Sequence, residues 1–254
     1  GLVLAFFAIL IGIGEALARR LAAAGYPLAL SAREPSSIES LAEETGGTVV
    51  SCDVMDTDSI KAAVDAAQTE EGLAGLAYCI GNIVVKPLKS INASDLIDCY
   101  RLNTVGAALA VQAAAPALKK AKGSVVMFST VAAEQGFGNH AVISAAKGGV
   151  EALARSLATD LAPDVRVNCI APSISETGIA SQLLSGENIA ELPVALLSAV
   201  RPGFYARRAA TASCIGSTAQ MRLPINVSYK LAELKHPRQS RYSHTASDVD
   251  KAST

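Results

Sequence analysis

The chain has 254 residues, 50% of them hydrophobic and only 4% aromatic, with no Trp and a formal net charge of −1. This length allows one domain with a full core, and the near-neutral charge argues against a general nucleic-acid or membrane partner. Residues 2–11 are continuously apolar, but this is about half of what a membrane-spanning helix needs. The run also lacks the basic start and the small-residue cleavage site of a signal peptide.

Apolar runs alternate with helical patterns, which is typical of βαβ units and a parallel sheet. The predicted strands are Leu2–Ala8, Pro27–Arg33, Gly47–Val54, Gly75–Gly81, Gly123–Thr130 and Val165–Ala171. The predicted helices are Gly14–Ala24, Pro35–Glu44, Asp58–Glu70, Ser94–Lys119 and Asn139–Leu161. Right-handed crossovers then predict a three-layer α/β fold with a doubly wound, Rossmann-like parallel sheet ordered 3-2-1-4-5-6. Ligands are expected at the carboxyl ends of its strands.

The regular pattern ends near Leu197, which divides the chain into a predicted nucleotide-binding and catalytic domain, 1–197, and a tail, 198–254. Residues 200–254 carry 9 Lys and Arg against 3 Asp and Glu. Residues 238–254 are rich in Ser, Thr and charge and are predicted to be disordered. Two origins of the tail stay open: a divergent substrate and interface segment, or an out-of-frame translation.

The five cysteines show neither a C-x-x-C spacing nor a cluster with His. Most lie in apolar surroundings, so they are predicted to be reduced structural thiols. No metal site is expected, and the cytoplasm is the expected compartment.

Two strand ends carry signals for a dinucleotide. Gly12, Ile13 and Gly14 form the turn after the first strand, where glycine lets the backbone approach a pyrophosphate at a helix N-terminus. The second strand ends with Ser31, Ala32 and Arg33. With no carboxylate there for a ribose 2′-hydroxyl, Arg33 favours NADP over NAD. The alternative is a solvated Arg on a loop.

The segment from Asn139 to Lys147 resembles the active-site helix of the short-chain dehydrogenase/reductase family. That family has a Tyr four residues before the Lys, and the Tyr transfers the proton of the reaction. Here Ile143 stands at that position and has no group to titrate. The resemblance implies that Lys147 binds the nicotinamide ribose.

The same resemblance, over about residues 1–180, implies further site residues. Asp53 and Val54 match positions beside the adenine, although Asp53 can equally be a turn or capping residue. Gly81 matches the flat surface beside the adenine ribose, and Asn103 matches a residue that helps to hold a proton-relay water near the Lys.

The catalytic hydroxyl of the family falls on Thr130, thirteen residues before Ile143, with Ser129 next to it. The alternative for both is a hydrogen bond to the local backbone. Pro172 and Thr177 match the end of the sixth strand and a contact to the nicotinamide carboxamide. The seventh strand of the family is expected to be missing or altered, because nothing after Leu197 matches it.

The resemblance implies an oxidoreductase that uses NADP, with NAD less favoured, and acts on a small carbonyl or alcohol. The alternatives are a nucleotide-binding protein without hydride transfer, and a frameshifted product without function. A homodimer is expected through the helices 94–119 and 139–161, whose Ala-rich stretches permit close approach.

His140 is a further catalytic candidate, because it lies one helical turn before Ile143 and an imidazole titrates near neutral pH. The competing interpretation is that His140 only flanks the start of the helix.

Overall fold

The computed structural model describes residues 3–7, 12–172 and 206–209. Within them, seven strands form one sheet in the order β3-β2-β1-β4-β5-β6-β7. The strands are β1 Val3–Phe7, β2 Leu28–Ala32, β3 Thr48–Ser51, β4 Leu73–Tyr78, β5 Ser124–Phe128, β6 Arg166–Pro172 and β7 Ala206–Ala209. The pairings from β3 to β6 are all parallel. The predicted order and the doubly wound fold class are therefore confirmed.

The helices connect these strands in the predicted sequence. They are α1 Ile13–Ala23, α2 Glu39–Thr45, α3 Thr57–Ala67, α4 Ala93–Tyr100, α5 Gly106–Ala121, α6 Ala132–Gln135 and α7 Ala141–Asp160. Short 3-10 turns span Pro35–Ser37 and Leu88–Ser90. The helix bounds differ from the predicted ones by a few residues, as expected because the ends of helices fray.

Helices cover both faces of the sheet. On one face, α1 and α2 pack on Leu28, Leu30 and Ala32 of β2. On the other face, the buried side chains of α3, α5 and α7 pack together with those of the central strands. Burying both faces explains why the strands are almost continuously apolar.

The predicted helix 94–119 is interrupted by a π-helical turn. This turn, Arg101–Val105, joins α4 to α5 without a break in direction. The sequence offers no Pro or Gly inside the turn to announce it. It matters because Asn103 lies at its centre.

The seventh strand was expected to be missing or altered, and the structure contains a short seventh strand at the edge of the sheet. Residues Ala206–Ala209 pair with Cys169–Pro172 in the antiparallel direction. An apolar-run criterion did not find this strand, because two of its four residues are arginines.

Several predictions lie outside the described residues. These are the nicotinamide contact of Thr177 and the disorder of residues 238–254. Among the described residues, no helix combines the length and the apolar character needed to cross a membrane.

Candidate active site at the carboxyl ends of the strands

The turn after β1 ends at Gly12, which has φ +90° and directly precedes α1. Only glycine adopts such a conformation without strain, so the residue choice at position 12 is set by the backbone. No side chain caps α1, so its first N–H groups and the positive end of the helix dipole face the carboxyl edge of the sheet. Glu15 in the first turn is neutralised by Arg19, with 2.7 Å between Oε1 and Nη1. Gly12, Ile13 and Gly14 are thus arranged to accept an anion.

Arg33 follows the last residue of β2 and is exposed. It forms no hydrogen bond or ion pair with any residue that the structure describes. Ser31, two residues earlier, is buried inside the sheet and pairs with Phe7 of β1. Arg33 is therefore available at this edge, whereas Ser31 contributes to the sheet.

Asp53 follows β3 and caps a local turn. Its Oδ1 accepts the N–H of Met55 at 2.9 Å, and its own N–H donates to Ser59 Oγ at 2.9 Å. Asp56, and not Asp53, is the N-cap of α3. One carboxylate oxygen of Asp53 thus acts in a turn, as the alternative interpretation predicted. Val54, the next residue, is buried.

Gly81, Asn103 and Lys147 come together after β4, although they are far apart in the sequence. A Cβ at position 81 would stand 2.8 Å from Asn103 Oδ1 and 3.0 Å from Lys147 Nζ. Glycine is required here because the two side chains approach the backbone from α7 and from the π turn. The family resemblance predicted these three residues, and the fold places them in one cluster.

Asn103 is held by its amide nitrogen. Nδ2 donates to Asn82 Oδ1 at 2.9 Å and to the Cys99 carbonyl at 2.8 Å. Its Oδ1 is buried and has no hydrogen-bond partner among the described residues. Because an unsatisfied buried acceptor is costly, this oxygen is a position for a donor from outside the chain, a water or a ligand hydroxyl.

Lys147 is buried with 8% exposure, and its Nζ donates to the Phe128 carbonyl at 2.8 Å. Burial lowers the pKa of Lys147 to about 8, because the ammonium is poorly solvated there. The ammonium still has donors left after the bond to Phe128. It can therefore bind a hydroxyl or release a proton near neutral pH.

Ser129 and Thr130 follow β5 and differ in what they contact. Ser129 Oγ is buried and donates to Glu151 Oε1 of α7 at 2.7 Å. Thr130 Oγ1 accepts the N–H of Ala132 at 3.3 Å, a weak bond, and the residue is half-buried. Thr130 keeps its hydroxyl proton for another partner, whereas the Ser129 hydroxyl is committed to α7. The alternative that these hydroxyls only bond to the local backbone therefore applies to Thr130 in part, through its contact with Ala132.

Ile143 is buried in an apolar cluster and is only 3% exposed. Its neighbours in the cluster are Cys99, Val142 and Ala146, with Val84 and Ile91 packed against them. The position at which the family has a proton-transferring Tyr is thus filled by hydrocarbon.

His140 precedes α7 and bonds locally. Its Nδ1 donates to the Gly138 carbonyl at 2.7 Å, and its ring meets Phe137 edge-on at 5.6 Å between centroids. No bond from His140 to Asn103, Thr130 or Lys147 occurs among the described residues. This geometry supports the flanking role.

Four described cysteines, Cys52, Cys79, Cys99 and Cys169, are unpaired thiols. Burial raises the pKa of Cys52 to about 11 and those of Cys79 and Cys169 to about 12. Such thiols stay protonated and inert at neutral pH, in agreement with the predicted structural role. No metal-binding group of His, Cys, Asp or Glu occurs within the described ranges.

Sequence reasoning missed Asn82 and Glu151, which hold Asn103 and Ser129. Asn82 directly follows Gly81, and Glu151 lies four residues after Lys147, on the same side of the helix. The i,i+4 spacing between Lys147 and Glu151 on α7 is the one sequence signal that could have indicated Glu151.

Comparison with known proteins found a matching family model and similar sequences. A family model described as enoyl-(acyl carrier protein) reductase matches residues 8–219. A 3-oxoacyl-[acyl-carrier-protein] reductase of Bos taurus is 30% identical over 183 residues, 68% of this chain and 75% of that protein. The 3-oxoacyl-[acyl-carrier-protein] reductase MabA of Mycobacterium bovis is 30% identical over 218 residues, 81% of each chain.

A solved structure of a putative short-chain dehydrogenase/reductase from Burkholderia xenovorans is also similar. It shows a TM-score of 0.65 at 30% identity, with 70% of this chain and 78% of that one covered. The chain belongs to the short-chain dehydrogenase/reductase family. Within it, the relatives identify an oxidoreductase that uses a nicotinamide cofactor and acts on small molecules.

The match to residue 219 also corrects one expectation. The resemblance does not stop near Leu197 but continues into the predicted tail. The comparisons favour an oxidoreductase over both a scaffold and a frameshifted product.

Proposed function

We propose that this protein transfers hydride between NADP and a small carbonyl or alcohol. The observation that carries the proposal is the cluster of Gly81, Asn103 and Lys147, with a buried unpartnered oxygen beside an ammonium of lowered pKa. The described site fits a dinucleotide, because it combines an uncapped helix N-terminus, an exposed Arg and a backbone surface that a Cβ would obstruct.

Each element of the site has one task in binding. The α1 N-terminus with Gly12, Ile13 and Gly14 would hold the pyrophosphate, and Arg33 a 2′-phosphate. Asp53, Val54 and Gly81 would line the adenosine. Lys147 would bind the nicotinamide ribose, and Pro172 at the end of β6 would complete the pocket. The contact of Thr177 with the nicotinamide stays a prediction, because Thr177 lies outside the described residues. The cofactor, when bound, supplies or accepts the hydride.

The chain must then manage one carbonyl oxygen and one proton. Thr130 is the better placed hydroxyl to hold the oxygen, because Ser129 is engaged by Glu151. In reduction the oxygen becomes an alkoxide and needs a proton, which Ile143 cannot give. Lys147 and Asn103 would support a water that delivers the proton, since the Lys147 ammonium is acidic enough to donate near neutral pH.

A homodimer through α4 and α7 accompanies this proposal. Exposed apolar side chains on α4 and the π turn, together with Ala145 of α7, line an open groove: Leu96, Ile97, Tyr100 and Val105. Such a patch favours an interface. The Ala-rich stretches named in the sequence analysis carry less of the argument, because Ala107, Ala110 and Ala114 are buried against the sheet. The cytoplasmic location stays a prediction.

The test of the cofactor is a comparison of NADPH and NADH binding by fluorescence titration. NADPH should bind more tightly, and Arg33→Asp should cost NADPH about 1.5–3 kcal/mol, the value of charged hydrogen bonds, while NADH changes little. Arg166→Asp is the matched control, because Arg166 is also exposed but starts β6 at the opposite edge of the sheet. Equal dissociation constants of the two nucleotides in the unmodified protein would remove the basis for NADP.

A further inference from the structure

The π turn Arg101–Val105 holds Asn103 in the site, and the side chain of Tyr78 contacts this turn. In this turn the N–H of Gly106 bonds back to the Arg101 carbonyl. The neighbouring Leu102 carbonyl accepts the hydroxyl of Tyr78 at 2.6 Å. A π turn inside an α-helix disturbs the regular ladder of bonds and is frequent at functional sites. The Tyr78 hydroxyl therefore fixes a carbonyl within the irregular turn.

Gly106 makes room for this contact. A Cβ at position 106 would collide with the Tyr78 hydroxyl. Tyr78 itself is the last residue of β4 and is 2% exposed. A buried hydroxyl is costly unless it is bonded, so a Phe would serve better if position 78 only filled the core. The pair of Tyr78 and Gly106 indicates a specific contact.

The consequence reaches Asn103 through the backbone. Asn103 directly follows Leu102, and its amide is held by Asn82 and Cys99 so that Oδ1 lies beside Gly81 and Lys147. Thr104, the next residue, donates to the Ala146 carbonyl of α7 at 2.7 Å. The turn is thus held against β4 on one side and against α7 on the other.

We propose that Tyr78 is a positioning residue whose hydroxyl fixes the π turn and so holds the Asn103 carboxamide against Lys147. It touches neither substrate nor cofactor. The consequence for a nucleotide rests on the proposed function, but the positioning of Asn103 does not.

The test is a pH titration of the full chain without nucleotide, followed by the side-chain amide resonances of ¹⁵N-labelled asparagine. The Asn103 resonances are assigned by their loss in Asn103→Ala. They should shift with a midpoint near pH 8 as Lys147 loses its proton, and Lys147→Met should abolish this shift. The thiols facing Lys147 are Cys79, Cys99 and Cys169. Burial raises the pKa of Cys79 and Cys169 to about 12 and raises that of Cys99 above its ordinary value, and Lys147→Met separates any thiol titration from that of the ammonium.

Tyr78→Phe keeps the ring and removes only the hydroxyl, and it should reduce the amplitude of this shift by at least about half. Gly106→Ala should do the same by displacing the hydroxyl, and it decides the matter if Tyr78→Phe does not fold. Tyr26→Phe is the matched control, because Tyr26 lies between α1 and β2; it should leave the amplitude unchanged.

Full amplitude in Tyr78→Phe, or no titration of Asn103 in the unmodified protein, would overturn the proposal. Thermal melts of the same samples separate a lost contact from a lost fold. Since no nucleotide is present, failure of NADPH to bind contradicts the proposed function and leaves this result unaffected.

Discussion

Two pockets lie one turn apart on α7 and differ in chemistry. The pocket around Lys147 is polar: it contains Asn103 Oδ1, the Phe128 carbonyl and the backbone of Gly81. The pocket around Ile143 is apolar, closed by Val84 and Ile91. Both are buried and both are held by the same helix. One helix thus carries a polar and an apolar environment one turn apart, so the chemistry of one can be changed without rebuilding the other.

The apolar pocket also stabilises the chain. Side chains there pack the segment after β4 against α7, and Lys86 continues this contact by donating its N–H to the Asn139 carbonyl at 2.9 Å. Lys86 Nζ also pairs with Asp95 of α4 at 2.7 Å, which lowers the pKa of Asp95. Ile143 itself is buried in this apolar cluster.

The largest effect is expected when a proton donor is introduced into the apolar pocket. Ile143→Tyr should raise the rate of NADPH-dependent carbonyl reduction by about 100-fold or more, the contribution of a positioned general acid. It should also cost about 1–3 kcal/mol of stability through overpacking. Ile143→Phe is the matched control, since it adds the ring without the hydroxyl. Equal rates in the two variants would show that the rest of the site is not competent.

The polar pocket is tested by removing its charge. Burial holds the pKa of Lys147 at about 8, below its ordinary value of 10.5, so folding is penalised wherever the native Lys is charged. The penalty is full below pH 8 and disappears as pH rises from 8 to 10.5, because there the unfolded chain binds the extra proton.

Lys147→Met should therefore raise the free energy of unfolding by about 1–3 kcal/mol at pH 7, while nucleotide affinity falls. Urea unfolding of both proteins at pH 7.0 and 9.5 measures this, and the gap between them should narrow at the higher pH. A gap that does not depend on pH would contradict the lowered pKa.

The two hydroxyls after β5 are expected to have different roles, one in the reaction and one in stabilising the fold. Thr130→Val should lower the reduction rate by about 10-fold or more by loss of a bond to the reacting oxygen, with unchanged NADPH affinity. Ser129→Ala should leave the reduction rate unchanged. It should lower the free energy of unfolding by about 1–2 kcal/mol, because Glu151 loses its hydrogen-bond donor. Steady-state kinetics and thermal melts of both variants measure these effects. A slower reaction in Ser129→Ala and an unchanged rate in Thr130→Val would instead assign the catalytic hydroxyl to Ser129.

The smallest effect is expected at His140, whose ring bonds to Gly138 and contacts Phe137. His140→Ala should change the reduction rate by less than about two-fold between pH 6 and 8, since a surface substitution away from the site has little effect. A loss of about 100-fold with unchanged NADPH affinity would instead identify His140 as the proton donor.

The sheet order follows from the sequence, and so do the fold class and the family resemblance. Apolar periodicity and glycine turns are local properties, so Gly12, Arg33, Asp53 and Lys147 could be placed from spacing and resemblance. The sequence also predicts that position 143 carries no titratable group, because Ile143 stands there.

How these residues meet depends on contacts between elements that are distant in the sequence. The choice between Ser129 and Thr130 depends on Glu151, which a helix brings across the layer. The orientation of Asn103 depends on a π turn that Tyr78 supports from another strand. The seventh strand depends on pairing with β6, which supplies the partners that its own sequence does not announce. These are contacts between distant residues, and such contacts are set by packing and not by local pattern.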